Sequence, residues 1–309
     1  MKILRFVLIV ALISFSSCKS KSNEIEWKQT DQTDRLMVLY QNYQWKEALA
    51  CIDSLRKEGV SLDILPIEAE CYAGIGEYAT AIDMVEKEIA SSSQDKHHYL
   101  YHTLGNIYHF QKKYDKAIAN YQKAIDIRPT YARPYIHLGE TYQLLGDNER
   151  CIEYLLSAID LFSQNDFHNE VIEYSNKVLS LDLSNIDALM YLQYSLHATE
   201  QYERGLSAGM EIYRIATEDN ITDIHPQNWV LTGMNAFYCM EYELSYNMLT
   251  MALKEEVLSG EDAWLAVCYL SAVSYMQGNK AAAKEFEDIA KESGPAAKSF
   301  IRELRKQVK

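Results

Sequence analysis

The sequence predicts an all-α protein, a superhelical α-α solenoid of about seven helix pairs with one extra helix and a C-terminal capping helix. Three observations predict it. The 309 residues include only 5 Pro and 12 Gly among abundant helix formers. One phrase recurs after 34 residues, with Tyr101-x-x-Leu104-Gly105-x-x-Tyr108 returning as Tyr135-x-x-Leu138-Gly139-x-x-Tyr142. Small residues mark a second phrase at near-constant spacing: Ala48, Ala81, Ala117 and Cys151 are separated by 33, 36 and 34 residues. A period of that length marks a helix hairpin that cannot bury its apolar face alone, so stacked neighbours complete the core.

In the best copy, Gly105 removes a side chain where two helices must approach, and Ala117 and Ala124 do the same on the partner helix. Tyr101, Tyr108 and Tyr121 fill the remaining space with rings, and Pro129 ends the pair. Gly139 and Tyr142 take these roles in the next copy, where Cys151, Leu155 and Ala158 mark the second helix. These motifs resemble the tetratricopeptide repeat (TPR). The resemblance implies helix hairpins whose first helices line a concave groove, usually occupied by a peptide or helix.

Residues 1–17 are expected to be a signal peptide: Lys2 and Arg5 precede the apolar run Phe6 to Ile13, which is too short to span a bilayer. Phe15-Ser16-Ser17-Cys18 resembles a bacterial lipoprotein cleavage box with Cys18 lipidated. An ordinary secretory signal with an incidental Cys is the rival, and the position of Cys18 where the apolar run stops favours lipidation. The resemblance implies acyl chains, palmitate among them, holding the protein at the membrane of the cell envelope. With no Asp after Cys18, the sorting rule points to the outer membrane of a Gram-negative bacterium. Residues 18–26 form a polar tether.

An N-terminal subarray is expected over 27–165. Gln44-Trp45-Lys46-Glu47-Ala48 and Glu77-Tyr78-Ala79-Thr80-Ala81 echo Lys113-Tyr114-Asp115-Lys116-Ala117, so each opens the second helix of a pair. After Cys151 the phase breaks. An irregular helix is expected within 166–184, with Val171, Tyr174, Val178 and Leu181 on one face; it is an extra helix, or the second half of a pair begun by Ile152 to Phe162. Phase recovers over 185–294, a C-terminal subarray with Tyr202, Tyr242 and Asn279 opening second helices and Gly233 in a packing slot. Residues 295–309 are expected to cap the array, with Phe300, Ile301, Leu304 and Val308 on one stripe and basic residues opposite.

The formal charge of −14 becomes −16 once Lys2 and Arg5 leave with the leader, and no basic cluster offers a phosphate-tracking surface, so nucleic acid is not an expected partner. Catalysis has little to stand on. His98 and His102, four apart on a helix, could share a metal, but no carboxylate or thiol completes the set at helical spacing. Cys51, Cys71, Cys151, Cys239 and Cys268 form no C-x-x-C, and phosphate-loop, G-x-S-x-G and H-E-x-x-H motifs are absent. No enzyme, metal or cofactor is expected.

The TPR resemblance implies groove-facing residues between the packing slots of the first helices. These are Tyr99, His102, Asn106 and His109, then Arg133 and His137, with Glu140 and Gln143 beside them. Some family members clamp a terminal carboxylate with Lys/Asn and Lys/Arg sets, but His102 and His137 stand where such sets place basic residues. In the later half Tyr191, Tyr194, Met234, Phe237 and Tyr238 suit adaptable apolar recognition of an amphipathic helix, or else pack neighbouring helices. The expected function is a non-catalytic, envelope-anchored docking scaffold whose partner is an envelope protein or peptide. The alternative is a solute- or glycan-binding lipoprotein, with a short cleft of polar groups around one or two rings.

Overall fold

The computed structural model describes residues 31–58, 64–254, 258, 260–293 and 296–307. The leader, Cys18, the tether, Trp27, Pro295, Val308 and Lys309 lie outside the described residues. All regular structure among the described residues is helical, sixteen α-helices and one 3-10 turn at Gln94–Lys96.

Seven hairpins account for fourteen of these helices: α1 (Asp31–Gln41) with α2 (Trp45–Lys57), α3 (Leu65–Gly74) with α4 (Tyr78–Ser91), α5 (His97–Phe110) with α6 (Tyr114–Ile127), and α7 (Ala132–Leu144) with α8 (Asn148–Ser163). After α9 (His168–Leu181) come α10 (Ile186–Ala198) with α11 (Tyr202–Glu218), α12 (Gln227–Tyr238) with α13 (Tyr242–Lys254), and α14 (Gly260–Met276) with α15 (Lys280–Ser293). The last helix is α16 (Ala297–Gln307). The fold class is therefore all-α, a TPR-type solenoid of hairpins with one added helix and one terminal helix.

The chain divides into two compact units, with the division inside α8 between Leu161 and Phe162. In the N-terminal unit, close helix approach comes from residues that yield space. A Cβ on Gly105 would collide with the ring of Tyr121, which is fully buried and covers that spot from α6. A Cβ on Gly139 would sit 3.1 Å from Leu155 Cγ, so α7 and α8 meet more loosely. Ala117, Ala124, Cys151 and Ala158 are buried in the same contacts. Leu100, Leu104 and Ile107 of α5 pack with Ala81 and Val85 of α4, each buried aliphatic side chain contributing roughly 2 kcal/mol. Tyr108 is half-buried under the cation of Lys116 (5.3 Å), and Arg150 covers the buried Tyr142 ring at 4.2 Å.

In the C-terminal unit one core runs from Leu189 to Leu304, drawing on α10 to α16. A Cβ on Gly233 would lie 2.6 Å from Leu249 Cγ, repeating on α12 and α13 the close approach of the other hairpins. Ile301 and Leu304 turn the apolar stripe of α16 onto α14 and α15, while Lys298, Arg302 and Lys306 stay exposed.

The turns explain where the repeat loses phase. Within hairpins the chain passes through one left-handed residue: Tyr43, Gly76, Lys112, Gly146, Glu200, Met240 and Gly278 all have φ between 58° and 89°. Asp166, between α8 and α9, has the same conformation (φ 59°), and Phe167 N–H bonds back to Phe162 O as Lys113 N–H does to Tyr108 O. The α9–α10 link instead has the bonds of the link between α6 and α7, Asn185 N–H to Asp182 O matching Tyr131 N–H to Arg128 O. Helix α8 thus closes one hairpin and opens another, and one helix is added. Among the described residues, no helix is long and apolar enough to cross a membrane.

Candidate functional site

Helix α5 presents His98, His102, Asn106 and His109 at spacings of four, four and three, which brings them to one face. Helix α7 adds Arg133, His137 and Glu140 in the same way. Register ties the two helices to α3. Glu70, Asn106 and Glu140 each stand eight residues before the start of their partner helix, at Tyr78, Tyr114 and Asn148. One position in three successive hairpins thus carries Glu, Asn and Glu.

The structure joins this row into a buried network. Asn106 Nδ2 donates to Glu70 Oε1 at 2.7 Å, and the Tyr40 hydroxyl of α1 donates to Glu70 Oε2. Tyr121 OH donates to Asn106 Oδ1 at 2.8 Å, so the ring that fills the Gly105 slot also anchors the network. The Tyr121 ring stacks on His137 at 5.7 Å and 21°, and His137 Nδ1 lies 3.2 Å from Glu140 Oε2. His102 lies between these groups, its ring 5.0 Å from His137, 5.4 Å from Tyr131 and 5.9 Å from Tyr121. His98 Nδ1 lies 2.7 Å from Asp95 O, with Arg128 Nη1 3.2 Å from its Nε2.

Burial sets the charge states. It pushes Glu70 above the usual carboxylate range, partly countered by the hydrogen bonds from Tyr40 and Asn106 and by His137 and Arg133. Burial, with His137, Arg133 and His98 adding repulsion, holds His102 well below the ordinary imidazole value. His98 and His109 are lowered too, chiefly by burial. At neutral pH His102 is an uncharged ring whose buried Nε2 has no hydrogen-bond partner among the described residues.

The C-terminal unit has a different face. Eight residues before Tyr202 and Tyr242 stand Tyr194 and Met234. Polar groups beside them are internal: Gln193 Nε2 donates to Thr232 Oγ1 at 2.7 Å, and His197 Nδ1 lies 2.7 Å from Asn235 Oδ1. Gly205 and Gly209 of α11 leave room for these amides, where a Cβ would strike Asn235, Gln193 and Thr232. The ring of Tyr238 stacks on Tyr202 at 4.1 Å, and the Tyr238 and Tyr269 hydroxyls lie 2.9 Å apart.

Three of the residues named as groove candidates are buried. Phe237 is wholly buried, with Tyr269 at 5.3 Å and Tyr242 at 6.1 Å, so it packs α12 against α13 and α14 and offers no surface. Tyr194 (5% exposed) lies against His168, and burial pushes its phenol up to about 12. His102 (6%) is inside the network, not on a wall. Arg133 is exposed, His137 and Glu140 keep about a third of their side chains open, and Tyr99, Asn106, His109, Tyr191, Met234 and Tyr238 are half-buried. The sequence reading missed Glu70 and Tyr40. Aligning the Tyr78 phrase on the Tyr114 phrase puts Glu70 opposite Asn106, a signal that was available; nothing comparable marks Tyr40.

The chemistry offered is recognition. Among the described residues no group of three His, Cys, Asp or Glu side chains could hold a metal ion. Burial pushes the Cys71 and Cys268 thiols up to about 12, which leaves them protonated and poor nucleophiles.

Two repeat-family models match the chain, one described as TPR repeat over residues 105–146 and one as tetratricopeptide repeat over 132–165. The chain therefore contains tetratricopeptide repeats, and these imply protein partners in general. No curated protein matches it. Among solved structures it is similar to a chain of the APC/C hetero-tetramer Cut9-Hcn1, with 13% identity, a TM-score of 0.40, and coverage of 92% of this chain and 57% of that one. The C-terminal part of a TPR repeat-containing protein from Cytophaga hutchinsonii matches at 15% identity and TM-score 0.35, covering 87% and 98%. Pseudomonas aeruginosa PilF matches at 11% and 0.39, covering 70% and 100%. This chain spans just over half the length of the first of these.

Proposed function

We propose that this chain is an envelope-anchored lipoprotein that acts as a non-catalytic docking scaffold and takes a peptide or helix along the first helices of its repeats. The observation that carries the reading is α7. On it Arg133 is exposed while His137 and Glu140 are half-open, beside tetratricopeptide repeats over 105–165. A polar row with both signs of charge suits a polypeptide with its own polar groups better than nucleic acid, which the acidic composition repels. Cys18 carries the acyl chains, the tether gives the folded part reach, and the partner is an envelope protein or peptide at the outer membrane.

Affinity capture from cross-linked envelopes tests the docking. The native chain and a Leu183→Glu surface control should retain one stoichiometric protein that Arg133→Glu loses. Retention by Arg133→Glu, or recovery of abundant porins alone, overturns the reading. Labelled palmitate should enter the native chain and not Cys18→Ala; no incorporation into the native chain removes the anchor.

A cleft of about 320 Å3 favours a second reading. Tyr101, Leu104 and Tyr108 of α5 line it with Glu86 and Ile89 of α4 and Asn120 and Lys123 of α6. Lys123 Nζ lies 5.1 Å from the Tyr101 ring, so polar groups meet two rings as a small glycan would require. Tyr101 and Tyr108 ring signals that shift on adding oligosaccharide support this reading, and signals that stay fixed exclude it.

A further inference from the structure

Every hairpin of the N-terminal unit contributes a group to the network in which His102 is buried, and Tyr121, Tyr131 and His137 touch its ring. Tyr40 comes from α1, Glu70 from α3, His98 and Asn106 from α5 itself and Tyr121 from α6. Tyr131 precedes α7, which supplies Arg133, His137 and Glu140. The ring contacts at 5.0–5.9 Å leave His102 inside, and its buried Nε2 has no acceptor among the described residues. A proton added there would be a buried charge without a hydrogen bond, beside the Arg133 guanidinium and the His137 ring. The network's own carboxylates are engaged elsewhere, Glu70 by Tyr40 and Asn106, and Glu140 by His137.

We propose that these groups form an acid-operated latch, which holds α5 to α7 while His102 is uncharged and releases the two helices when His102 takes a proton. The latch works whatever the chain binds. The closed form resists protonation of His102, so below the ordinary imidazole value of about 6.5 the open form gains the proton and the closed form does not. The open-to-closed ratio then rises about tenfold per pH unit for that one proton, until the closed form's own value is reached. His98 and His109, shifted the same way, steepen the response. Glu70 acts in the opposite sense, because the closed form favours its protonated state.

Hydrogen exchange of the α5 and α7 amides in the full-length chain between pH 7.5 and 5.5, corrected for intrinsic chemistry, reads the opening. The native chain should open more with each step down in pH below about 6.5. His102→Gln, which keeps a polar side chain that does not titrate, should lower the slope by about tenfold per pH unit. A native chain with no pH slope, or the same slope in His102→Gln, overturns the latch. Should His102→Gln fail to fold, ring NMR of the native chain decides. The latch requires His102 to stay neutral well below pH 6.5 while the amides remain protected, and a ring that titrates near 6.5 in the protected state rules it out.

Discussion

Asn106 donates from Nδ2 to Glu70 Oε1 across 2.7 Å, tying α5 to α3 through a carboxylate that is 6% exposed. Its own Oδ1 accepts from Tyr121, which packs on Gly105, so the repeat's packing slot and its polar row share one set of side chains. That sharing gives the polar residues of the row a structural role in joining the hairpins.

Glu70→Gln keeps an acceptor for Asn106 and removes the buried charge. Because burial raises Glu70 in the folded chain, its stabilising contribution is greatest below the unfolded value and is lost as pH rises through the folded one. Glu70→Gln should therefore be more stable than the native chain at pH 7.5, and the gap should close as the pH falls towards 4.5. Urea unfolding at both pH values measures this. A variant less stable at pH 7.5 would mean the ionised carboxylate's hydrogen bonds outweigh its burial.

Gly105→Ala should cost about 1–3 kcal/mol, because the new methyl group enters the space of a fully buried Tyr121 ring. Gly139→Ala meets Leu155 Cγ at 3.1 Å and the Cys151 carbonyl oxygen at 3.2 Å, looser contacts than those at Gly105, and gains about 1 kcal/mol of helix propensity. Its net change should stay within about 1 kcal/mol. Equal losses in the two variants, read from denaturant midpoints, would contradict the difference in slot tightness.

The hairpins were legible because their packing residues keep a fixed spacing and a small size. Gly105, Gly139, Ala117 and Cys151 could be placed from the 34-residue phase alone. The extra helix α9 showed as a loss of phase, but the reason, a second left-handed turn at Asp166, uses a residue type common in many loops. The site was less legible. Helical period places Phe237 and Met234 on neighbouring faces and does not say which neighbour covers them; α13 and α14 cover Phe237 and leave Met234 half-open. The Glu70 network escaped for a similar reason, since its Tyr40 partner comes from a helix 30 residues away.

Phe237→Ala should accordingly lose about 3–5 kcal/mol of stability, the range for removing a buried ring that leaves a cavity. Met234→Ala, on a half-buried side chain, should lose less, in the region of 1 kcal/mol. Thermal unfolding ranks the two. A smaller loss for Phe237→Ala would contradict its place in the core.

Lys112 and Gly146 occupy equivalent turns with φ of 58° and 79°, one with a side chain and one without. A left-handed conformation costs an L-residue roughly 1–2 kcal/mol, and glycine loses about 0.5–1 kcal/mol through its freer unfolded chain. Lys112→Gly should therefore gain around 0.5 kcal/mol. Nothing lies within 4 Å of a Cβ at Gly146, so Gly146→Ala should lose about 1 kcal/mol through the backbone alone. Opposite signs in the two variants, measured as shifts of the urea midpoint, follow from a shared turn; a loss in Lys112→Gly would show that its αL conformation costs little.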